Sequence, residues 1–522
     1  MAKADPSHRL DHVVVLMFEN RSFDNVLGYL YTPEEKPGFE GVAGKDLSNP
    51  IPADVPGAEQ KVVPVHPAKN MNTPECDPGE EHPHVNTQIY GTVSPPENRF
   101  KAIDDMQSPF NAPQDLQAEP AMDGFVADYV NAFKTEMGRL PKPEEYSQIM
   151  ACYTPDHLPV LSGLAKGFAC FDHWFCEVPS QTYCNRSFVH AASSSGLVNN
   201  HPVGQFEAKN DAPTIFEKLH DAGKTWRVYI DPEQFVPATA LIHASKLMPR
   251  FADRFRTIFD FYHDAKEGEL PNYSFIEPNM FFPHTDMHPP SNCRLKHELF
   301  HTHHDDMEGG ERLLADVYNA IRTSASEGGS NWSNTMLLVT FDEHGGTYDH
   351  VPPPRVPPPG PVTGKEEEGF QFDRSGVRVP AIAISAWIEG GKVVKEEFRH
   401  TSVIRTLREW WSLGDPLTQR DAAAASLVPL LSRNEPRPPE EWPEIVPKKP
   451  GLLEKIEEVI DRPIDCLENN LVGEALAHEA HADGHPPAGD VRRMLRKDAL
   501  VHLKRIRDAK FPGIAQGRTS LE

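Results

Sequence analysis

The stretch Val13-Val-Val-Leu-Met-Phe18 continues directly into Glu19-Asn-Arg-Ser-Phe-Asp24. Six consecutive apolar residues, three of them β-branched, predict a strand that is buried on both faces, as in a parallel α/β sheet. The polarity reverses abruptly where this strand ends. In parallel sheets ligands bind at the carboxyl ends of the strands, so an acid and an amide at this strand tip indicate a metal or phosphate site.

A second stretch repeats this pattern much later in the chain. Thr335-Met-Leu-Leu-Val-Thr-Phe341 predicts another buried strand, and it is followed by Asp342-Glu-His-Gly-Gly346, whose glycines allow close backbone approach. If the two strands are neighbours, their tips bring together the oxygen-bearing side chains of Glu19, Asn20, Asp342 and Glu343. An all-oxygen set of this kind suits a hard divalent cation.

The overall composition narrows the class of protein and of partner. The chain has 522 residues, with Lys+Arg 52 against Asp+Glu 77 and a net charge of -25. This length allows one large domain or two. The acidic balance argues against nucleic acid as a partner and against adsorption to anionic membranes by charge alone. An anionic small substrate is still allowed, because a bound cation can reverse the local field.

Cysteine usage and the terminal sequence bear on the compartment. The 7 cysteines are scattered and fit neither a disulfide framework nor a zinc pattern, so most are expected to be buried, reduced thiols, with a single disulfide left open. The N-terminal residues lack the apolar core of a signal peptide, and no apolar run approaches membrane-spanning length. We therefore expect a soluble chain, cytoplasmic as written and without a transmembrane segment. A processed export signal would change that localisation, and the oligomeric state is left open.

Predicted strands alternate with predicted helices through most of the chain. This alternation predicts the α/β class, with a mostly parallel sheet flanked by helices, over residues 10–436. Beyond this domain, proline and charge dominate, and apolar spacing at 452–460 and 491–503 predicts helices. Residues 440–522 are therefore predicted to form a helical C-terminal appendage, for which an autoinhibitory lid and a dimer arm are both open.

Three other segments contain polar side chains for which a functional role has to be weighed against a structural one. Thr182 lies in a polar turn that opens a predicted helix, where a threonine is most often a helix cap. His82 and His84 can face a pocket, although a solvated loop is the commoner situation for such a polar turn. A histidine-rich segment follows a later strand and contains His284, Asp286, His288, His297, His301, His303 and His304.

Three motifs resemble the phosphoesterase family: Glu19–Asp24 with Gly28, Thr182–Arg186, and Asp342–His350 with Val351-Pro-Pro353. That family contains bacterial phospholipases C, plant non-specific phospholipases C and bacterial acid phosphatases, and it is similar in fold to alkaline phosphatase. The first and third motifs are long and specific. The resemblance extends from about residue 10 to about residue 430. It therefore implies an alkaline-phosphatase-like fold for the main domain.

The resemblance also implies a set of site residues. One divalent metal ion with oxygen ligands, Ca, Mg or Mn, would be held by Glu19, Asn20, Thr182, Asp342 and Glu343. Thr182 would also be the nucleophile. Asn185 and Arg186 would orient phosphate oxygens, although Arg186 can equally form a structural ion pair. His288 and His350 would line the site and are the candidates for protonating the leaving alcohol.

The chain departs from the family pattern at two places. Cys184 stands where a proline is usual, which affects the turn beside Thr182. The run from Ser291 to His303 looks like an insertion, so individual roles within the segment His284–His304 are left open.

These features together predict a metal-dependent phosphoric ester hydrolase that works through a phospho-threonine intermediate. Phospholipase C action on phospholipid phosphodiesters is the favoured activity, and an acid-phosphatase-like phosphomonoesterase on soluble substrates is the alternative. A third hypothesis is a non-catalytic binding protein on the same fold, which would require the loss of a ligand or of the nucleophile.

Overall fold

The computed structural model describes residues 6–200, 204–281, 284–289, 306–446, 466–482, 494 and 496–520. In these ranges the strands are β1 (His12–Phe18), β2 (Ser48–Pro50), β3 (Val62–Pro64), β4 (His66–Pro67), β5 (Ala151–Cys152), β6 (Ala169–Phe171), β7 (Trp174–Phe175), β8 (Trp226–Ile230), β9 (Phe255–Thr257), β10 (Tyr273–Glu277), β11 (Thr335–Phe341), β12 (Ala381–Ile384), β13 (Lys392–Val394) and β14 (Phe398–Arg399). Eight of them form one sheet in the order β13-β6-β12-β11-β1-β10-β8-β9. Only β12 runs antiparallel to its neighbours in this sheet. The predicted mostly parallel sheet is confirmed.

The strands β1 and β11 lie side by side at the centre of this sheet. They pair in parallel over their whole length, with His12 opposite Thr335 and Phe18 opposite Phe341. Both strands are buried almost throughout, as their continuous apolar runs predict. Because the last residues of the two strands are paired, Glu19 and Asp342 leave the sheet next to each other.

Helices connect and flank the strands, in agreement with the predicted α/β class. In the described ranges they are α1 (Phe23–Leu27), α2 (His82–Tyr90), α3 (Phe125–Met137), α4 (Pro143–Tyr146), α5 (Pro159–Gly167), α6 (Thr182–Ala191), α7 (Gln205–Lys209), α8 (Ile215–Asp221), α9 (Ala238–Ile242), α10 (Ala244–Phe251), α11 (Ile258–Glu267), α12 (Asp306–Thr323), α13 (Thr401–Trp411), α14 (Gln419–Ala423), α15 (Cys466–Ala482), α16 (Arg496–Lys510) and α17 (Pro512–Ala515). Local chemistry fixes several helix starts. Thr214, for example, caps α8 in a capping box with Glu217.

The segment that contains His82 and His84 differs from the solvated loop that its polarity suggested. It forms helix α2, and both histidines are buried. Two local features explain the difference. Pro83 is tolerated in the first turn of a helix, and Val85 and Ile89 join a hydrophobic cluster with residues of α3.

The C-terminal helices pack against the sheet domain. Leu471 and Val472 of α15 and Leu503 of α16 belong to the same hydrophobic cluster as the central strands. Helix α17 contacts the edge strand β9. The predicted helix 491–503 overlaps α16 from Arg496 onward, and residues 491–493 and 495 lie outside the described residues. The predicted helix 452–460 also lies outside the described residues. The division into a main domain and an appendage at about residue 440 stays a prediction.

Most of the cysteines follow the expectation. Cys152, Cys170, Cys176 and Cys184 are buried free thiols, whereas Cys76 is disulfide-bonded. In the part of the chain that the structure describes, no helix combines the length and the apolar character needed to cross a bilayer.

Candidate active site

The tips of β1 and β11 come together at one edge of the sheet. The backbone N–H of Asn20 donates to Asp342 Oδ1 at 3.0 Å, and the N–H of Asp342 donates to the carbonyl of Phe18 at 3.0 Å. The side chains of Glu19, Asn20, Asp342 and Glu343 are all buried. The structure therefore gathers the four predicted ligands from the two strands in one place.

Thr182 joins this group from a third part of the chain. It is the first residue of α6, and Gln181 occupies the N-cap position, so the helix-cap interpretation of Thr182 is wrong. Its hydroxyl donates to Glu19 Oε2 at 3.2 Å and lies 3.5 Å from Asn20 Oδ1. The N-terminal end of a helix favours negative charge, so this position suits both an alkoxide and a phosphate oxygen.

Arg186 follows one turn later on α6 and lies between two of the predicted ligands. Its guanidinium forms an ion pair with Glu19, and its Nε donates to Asp342 Oδ2 at 3.2 Å. Its Nη1 is buried and has no hydrogen-bond partner among the described residues. The ion pair named as one alternative is therefore present, and a contact from Nη1 to phosphate stays a prediction.

Asn185 faces the loop that precedes α6. Its Oδ1 accepts from the N–H groups of Glu177 and Val178, both at 2.9 Å. Its Nδ2 donates to backbone carbonyls, of which Ser180 is the nearest at 2.7 Å. These bonds hold the loop that leads to Thr182. The predicted contact of Asn185 with substrate stays a prediction.

Gly345 explains why glycine follows the two acids of the third motif. Its φ is +58°, and a Cβ at this position would lie 2.1 Å from the carbonyl oxygen of Asn20. Its N–H donates to Glu343 Oε2 at 2.6 Å. The close approach of the two strand tips and the orientation of Glu343 therefore both depend on a residue without a side chain.

The negative charge of the buried carboxylates at this edge of the sheet is only partly balanced by Arg186. Burial, reinforced by the carboxylates of Asp342 and Asp286, raises the pKa of Glu19 well above its usual range despite the opposing Arg186. Burial and the Asp342 carboxylate likewise raise the pKa of Glu343. Glu343 Oε1 is buried without a hydrogen-bond partner among the described residues. An orphaned carboxylate oxygen beside other oxygen donors fits a hard divalent cation.

Glu80 is a site residue that the sequence analysis missed. It is buried and accepts a hydrogen bond from Asn20 Nδ2 and another from Gln181 Nε2, the latter at 3.3 Å. Burial and the neighbouring Glu343 raise its pKa well above the usual range. A weak signal existed in the sequence, because Cys76–His84 concentrates three acids and two histidines in nine residues.

His288 lies where the sequence analysis expected it. Its Nε2 is 2.8 Å from Asn20 Nδ2, and its Nδ1 is 2.6 Å from the carbonyl of Pro289. Each ring nitrogen therefore has one contact, and the ring is held beside Asn20. His297, His301, His303 and His304, and the run Ser291–His303, lie outside the described residues.

His350 belongs to a different cluster. Its Nδ1 is 2.5 Å from Asp24 Oδ2, and its Nε2 is 3.0 Å from Glu40 Oε1. Asp24, Asp349 and His350 offer ligand atoms within 4.8 Å of one another, but Arg378 donates to both acids at 2.9 Å. The guanidinium already supplies the positive charge there, so this cluster resembles an internal ion-pair network. The predicted proton-transfer role of His350 stays a prediction.

Histidines near the site differ in their protonation. Although burial opposes it, Asp128 at 2.7 Å from the Nδ1 of His84 raises the pKa of that histidine to about 9. Burial instead lowers the pKa of His82 to about 4 and that of His344 to about 4. Of these three imidazoles, that of His84 is therefore charged at neutral pH and the other two are neutral.

Comparison with known proteins identifies the family. Non-specific phospholipase C3 of Arabidopsis thaliana is 33% identical over 87% of this chain and 81% of its own length. Non-specific phospholipase C1 of the same plant is 32% identical over 83% of this chain and 73% of its own length.

Similarity to solved structures is much weaker. A protein in the alkaline phosphatase superfamily from Vibrio parahaemolyticus has 14% identity and a TM-score of 0.29, over 51% of this chain and 64% of that one. A likeness at this level supports no conclusion about the present chain.

The sequence profile described as "Phosphoesterase family" matches residues 10–414. Because this match and the two plant relatives cover most of the sequence, the chain belongs to the phosphoesterase family.

Proposed function

We propose that this protein is a metal-dependent phospholipase C that cleaves phospholipid phosphodiesters by nucleophilic attack from Thr182. The observation that carries the proposal is the position of the Thr182 hydroxyl, 3.2 Å from Glu19 Oε2 and 3.5 Å from Asn20 Oδ1 at a helix N-terminus. A weak nucleophile requires an adjacent base or cation. Glu19 is an adjacent base, and the neighbouring oxygen donors would hold a cation. The names of the plant relatives support the choice of substrate class.

The residues of the chain divide the work. Glu19, next to the hydroxyl, takes the proton of Thr182 as its oxygen attacks phosphorus. The bond between phosphorus and the diacylglycerol oxygen breaks, and a phospho-threonine forms in which the phosphorus still carries the head group. Arg186 Nη1 and the N-terminal N–H groups of α6 face the negative charge that develops on the phosphoryl oxygens.

The second half of the reaction restores the enzyme. His288 supplies a proton to the departing alcohol and then takes one from the water that attacks phosphorus, since an imidazole can exchange protons near neutral pH. The bond between phosphorus and the Thr182 oxygen then breaks, and Glu19 returns its proton to that oxygen. We prefer His288 to His350 because His288 contacts Asn20, whereas His350 pairs with Asp24 and Glu40.

A divalent metal would be held by Glu19, Asn20, Thr182, Asp342 and Glu343. When bound, it would neutralise phosphoryl charge and favour the ionised hydroxyl of Thr182. The donor set fits this role because all five side chains offer oxygen and because Glu343 Oε1 has no other partner among the described residues. Ca, Mg and Mn all accept such donors.

The test is product analysis with the purified full chain. Incubation with phosphatidylcholine vesicles and a divalent metal is expected to release phosphocholine and diacylglycerol, and chelation is expected to stop the reaction. Release of inorganic phosphate from soluble monoesters without attack on the diester would instead establish the phosphomonoesterase alternative. No turnover of either substrate, with metal bound, would favour a binding protein.

A further inference from the structure

The peptide group that joins Asp342 to Glu343 is held at both of its polar atoms. Its N–H, which belongs to Glu343, donates to Asp342 Oδ1 at 2.7 Å. Its carbonyl oxygen, which belongs to Asp342, lies 2.6 Å from His400 Nε2. Because this peptide connects two of the predicted metal ligands directly, its orientation decides where both carboxylates point.

The regular sheet ends just before this peptide. The last pair of strands β11 and β1 is Phe341 opposite Phe18. The N–H of Asp342 still donates to the carbonyl of Phe18 at 3.0 Å. The carbonyl of Asp342 turns instead to His400, which comes from a later part of the chain. A side chain therefore takes the place that a neighbouring strand occupies earlier in β11.

The two ring nitrogens of His400 have different and well-defined roles. A carbonyl oxygen can only accept a hydrogen bond, so Nε2 donates to Asp342. The indole Nε1 of Trp174 can only donate, and it lies 3.2 Å from Nδ1, which is therefore the acceptor. The ring thus carries its proton on Nε2, on the side of Asp342.

Regular structure on both sides holds this imidazole in place. His400 follows β14, which pairs in parallel with β7, so that Phe398 lies opposite Trp174. The rings of these two residues are stacked, with centroids 5.9 Å apart. His400 is also the N-cap residue of α13, and the N–H of Thr401 donates to Glu177 Oε1 at 2.7 Å. Since His400 and Trp174 are both fully buried, the donor at Nε2 has a fixed position.

We propose that His400 is a positioning residue that fixes the peptide between Asp342 and Glu343, and so holds their carboxylates in the arrangement that a divalent cation requires. This inference rests on the metal site of the proposed function. Without the bond to His400, the peptide can rotate about the bonds on either side of it, and this rotation redirects both carboxylates. Groups that orient metal ligands from behind typically change metal affinity by about 10- to 100-fold.

Two variants separate the two hydrogen bonds of His400. In His400→Gln the side-chain amide nitrogen reaches about as far as Nε2 and can donate to the Asp342 carbonyl. In His400→Asn the side chain is shorter, so its oxygen can accept from Trp174, whereas its amide nitrogen does not reach Asp342. Calorimetric titration of the full chain with Mn²⁺ is expected to give nearly wild-type affinity for His400→Gln. For His400→Asn we expect an affinity about 10- to 100-fold lower.

Turnover gives a second measurement. With phosphatidylcholine vesicles, saturating Mn²⁺ is expected to restore most of kcat in His400→Asn, because Thr182 and Arg186 are unchanged. The control variant is His243→Asn, at another buried histidine, whose Nδ1 lies 3.4 Å from Asn210. It is expected to keep the wild-type affinity for Mn²⁺.

The outcomes separate this proposal from the proposed function. Equal Mn²⁺ affinities of the glutamine and asparagine variants overturn the positioning role, even if the protein is a phospholipase C. Wild-type affinity together with a reduced kcat in His400→Asn overturns it as well. If the wild-type protein binds Mn²⁺ but cleaves no phospholipid, the proposed substrate fails, and the titrations still decide the role of His400.

Two further cases complete the test. A wild-type protein that binds neither Mn²⁺ nor Ca²⁺ overturns the positioning role together with the metal site. Should His400→Asn not fold, His400→Leu, which has no hydrogen-bond donor in its side chain, takes its place in the comparison with His400→Gln. The same loss of Mn²⁺ affinity is expected, and an affinity equal to that of His400→Gln overturns the proposal.

Discussion

Glu80 and Asn20, sixty positions apart in the sequence, are joined by a hydrogen bond from the amide nitrogen of Asn20 to the Glu80 carboxylate. The other amide hydrogen of Asn20 points to His288 Nε2 at 2.8 Å. A side-chain amide has only two N–H donors, and those of Asn20 are both directed at Glu80 and His288. The Oδ1 of Asn20 is therefore left on the side of Thr182, in the orientation that a metal ligand needs.

This arrangement predicts that Glu80 controls metal affinity without being required to touch the metal. Removing an outer partner of a metal ligand typically lowers affinity by about 10- to 100-fold. We expect a loss in this range for Glu80→Ala, measured by calorimetric titration with Mn²⁺. Glu80→Gln keeps an acceptor for Asn20 and is expected to lose less. Equal affinities of the alanine variant and the wild type would show that Asn20 is oriented by other contacts.

The nucleophile assignment makes a separate prediction. Thr182→Ala is expected to lower kcat by roughly a thousandfold or more, because nucleophilic residues carry losses of this order. Thr182→Ser retains the hydroxyl and should keep measurable activity. Rapid acid quenching of a reaction with phosphatidylcholine, followed by mass spectrometry, should find phosphocholine on residue 182 in the wild type and in the serine variant. Full activity of the alanine variant would remove Thr182 from the mechanism.

The residues around the candidate active site differ in how well the sequence alone predicts their positions. The strands that end at Phe18 and Phe341 were predictable because a continuous apolar run has few other solutions, and their parallel pairing brings Glu19 and Asp342 together. Glu80 had only a weak signal in the sequence, because its burial arises from contacts with the distant Asn20 and Gln181 that no local spacing encodes. His350 adjoins a site motif in sequence, yet Asp24 and Glu40 take both of its ring nitrogens.

A matched pair of glycine variants tests the backbone geometry of the site. At Gly345, with φ +58°, a Cβ would meet the Asn20 carbonyl oxygen at 2.1 Å, whereas Gly364, with φ +74°, has nothing within 4 Å. Both alanine variants incur backbone strain of about 1 kcal/mol or somewhat more. Only Gly345→Ala adds a steric overlap, so it should lower Tm further and weaken Mn²⁺ binding. Similar losses in the two variants would mean that the strand tips can separate without cost.

Metal binding should stabilise the protein in a pH-dependent way. The raised pKa values of Glu19 and Glu343 mean that the stability these groups contribute is fully present below about pH 4.3, their ordinary value, and is lost as pH rises through their folded pKa values. A cation that binds the ionised groups offsets this loss. More of these carboxyl groups are ionised at high pH than at low pH. The increase in Tm caused by Mn²⁺ should therefore be larger at about pH 7.5 than at about pH 5.

Two variants locate this metal effect. Glu343→Gln should abolish most of the Mn²⁺-induced increase in Tm. His350→Gln, in the Asp24–Asp349–His350 cluster, should preserve it, because Arg378 already neutralises that cluster. The opposite pattern would move the metal to Asp24 and Asp349 and would overturn the assignment of Glu343.

Two buried histidines in the core predict sensitivity to acid. Burial lowers the pKa of His243 to about 3 and that of His190 well below its ordinary value, so both are neutral in the folded protein. The unfolded chain takes up these protons below about pH 6.5. Stability is therefore present above that pH and is lost as pH falls from about 6.5 towards 3, by up to about 1.4 kcal/mol per pH unit for each histidine.

This expectation is checked by chemical unfolding between about pH 7 and about pH 5, a range that includes the pKa of a histidine in the unfolded chain. His243→Asn removes one of the protons, so the slope of unfolding free energy against pH should become shallower even if the variant is less stable overall. If His243→Asn and the wild type show the same slope, the histidine must reach solvent and become protonated in the folded state, and the core around α6 must open more readily than its burial indicates.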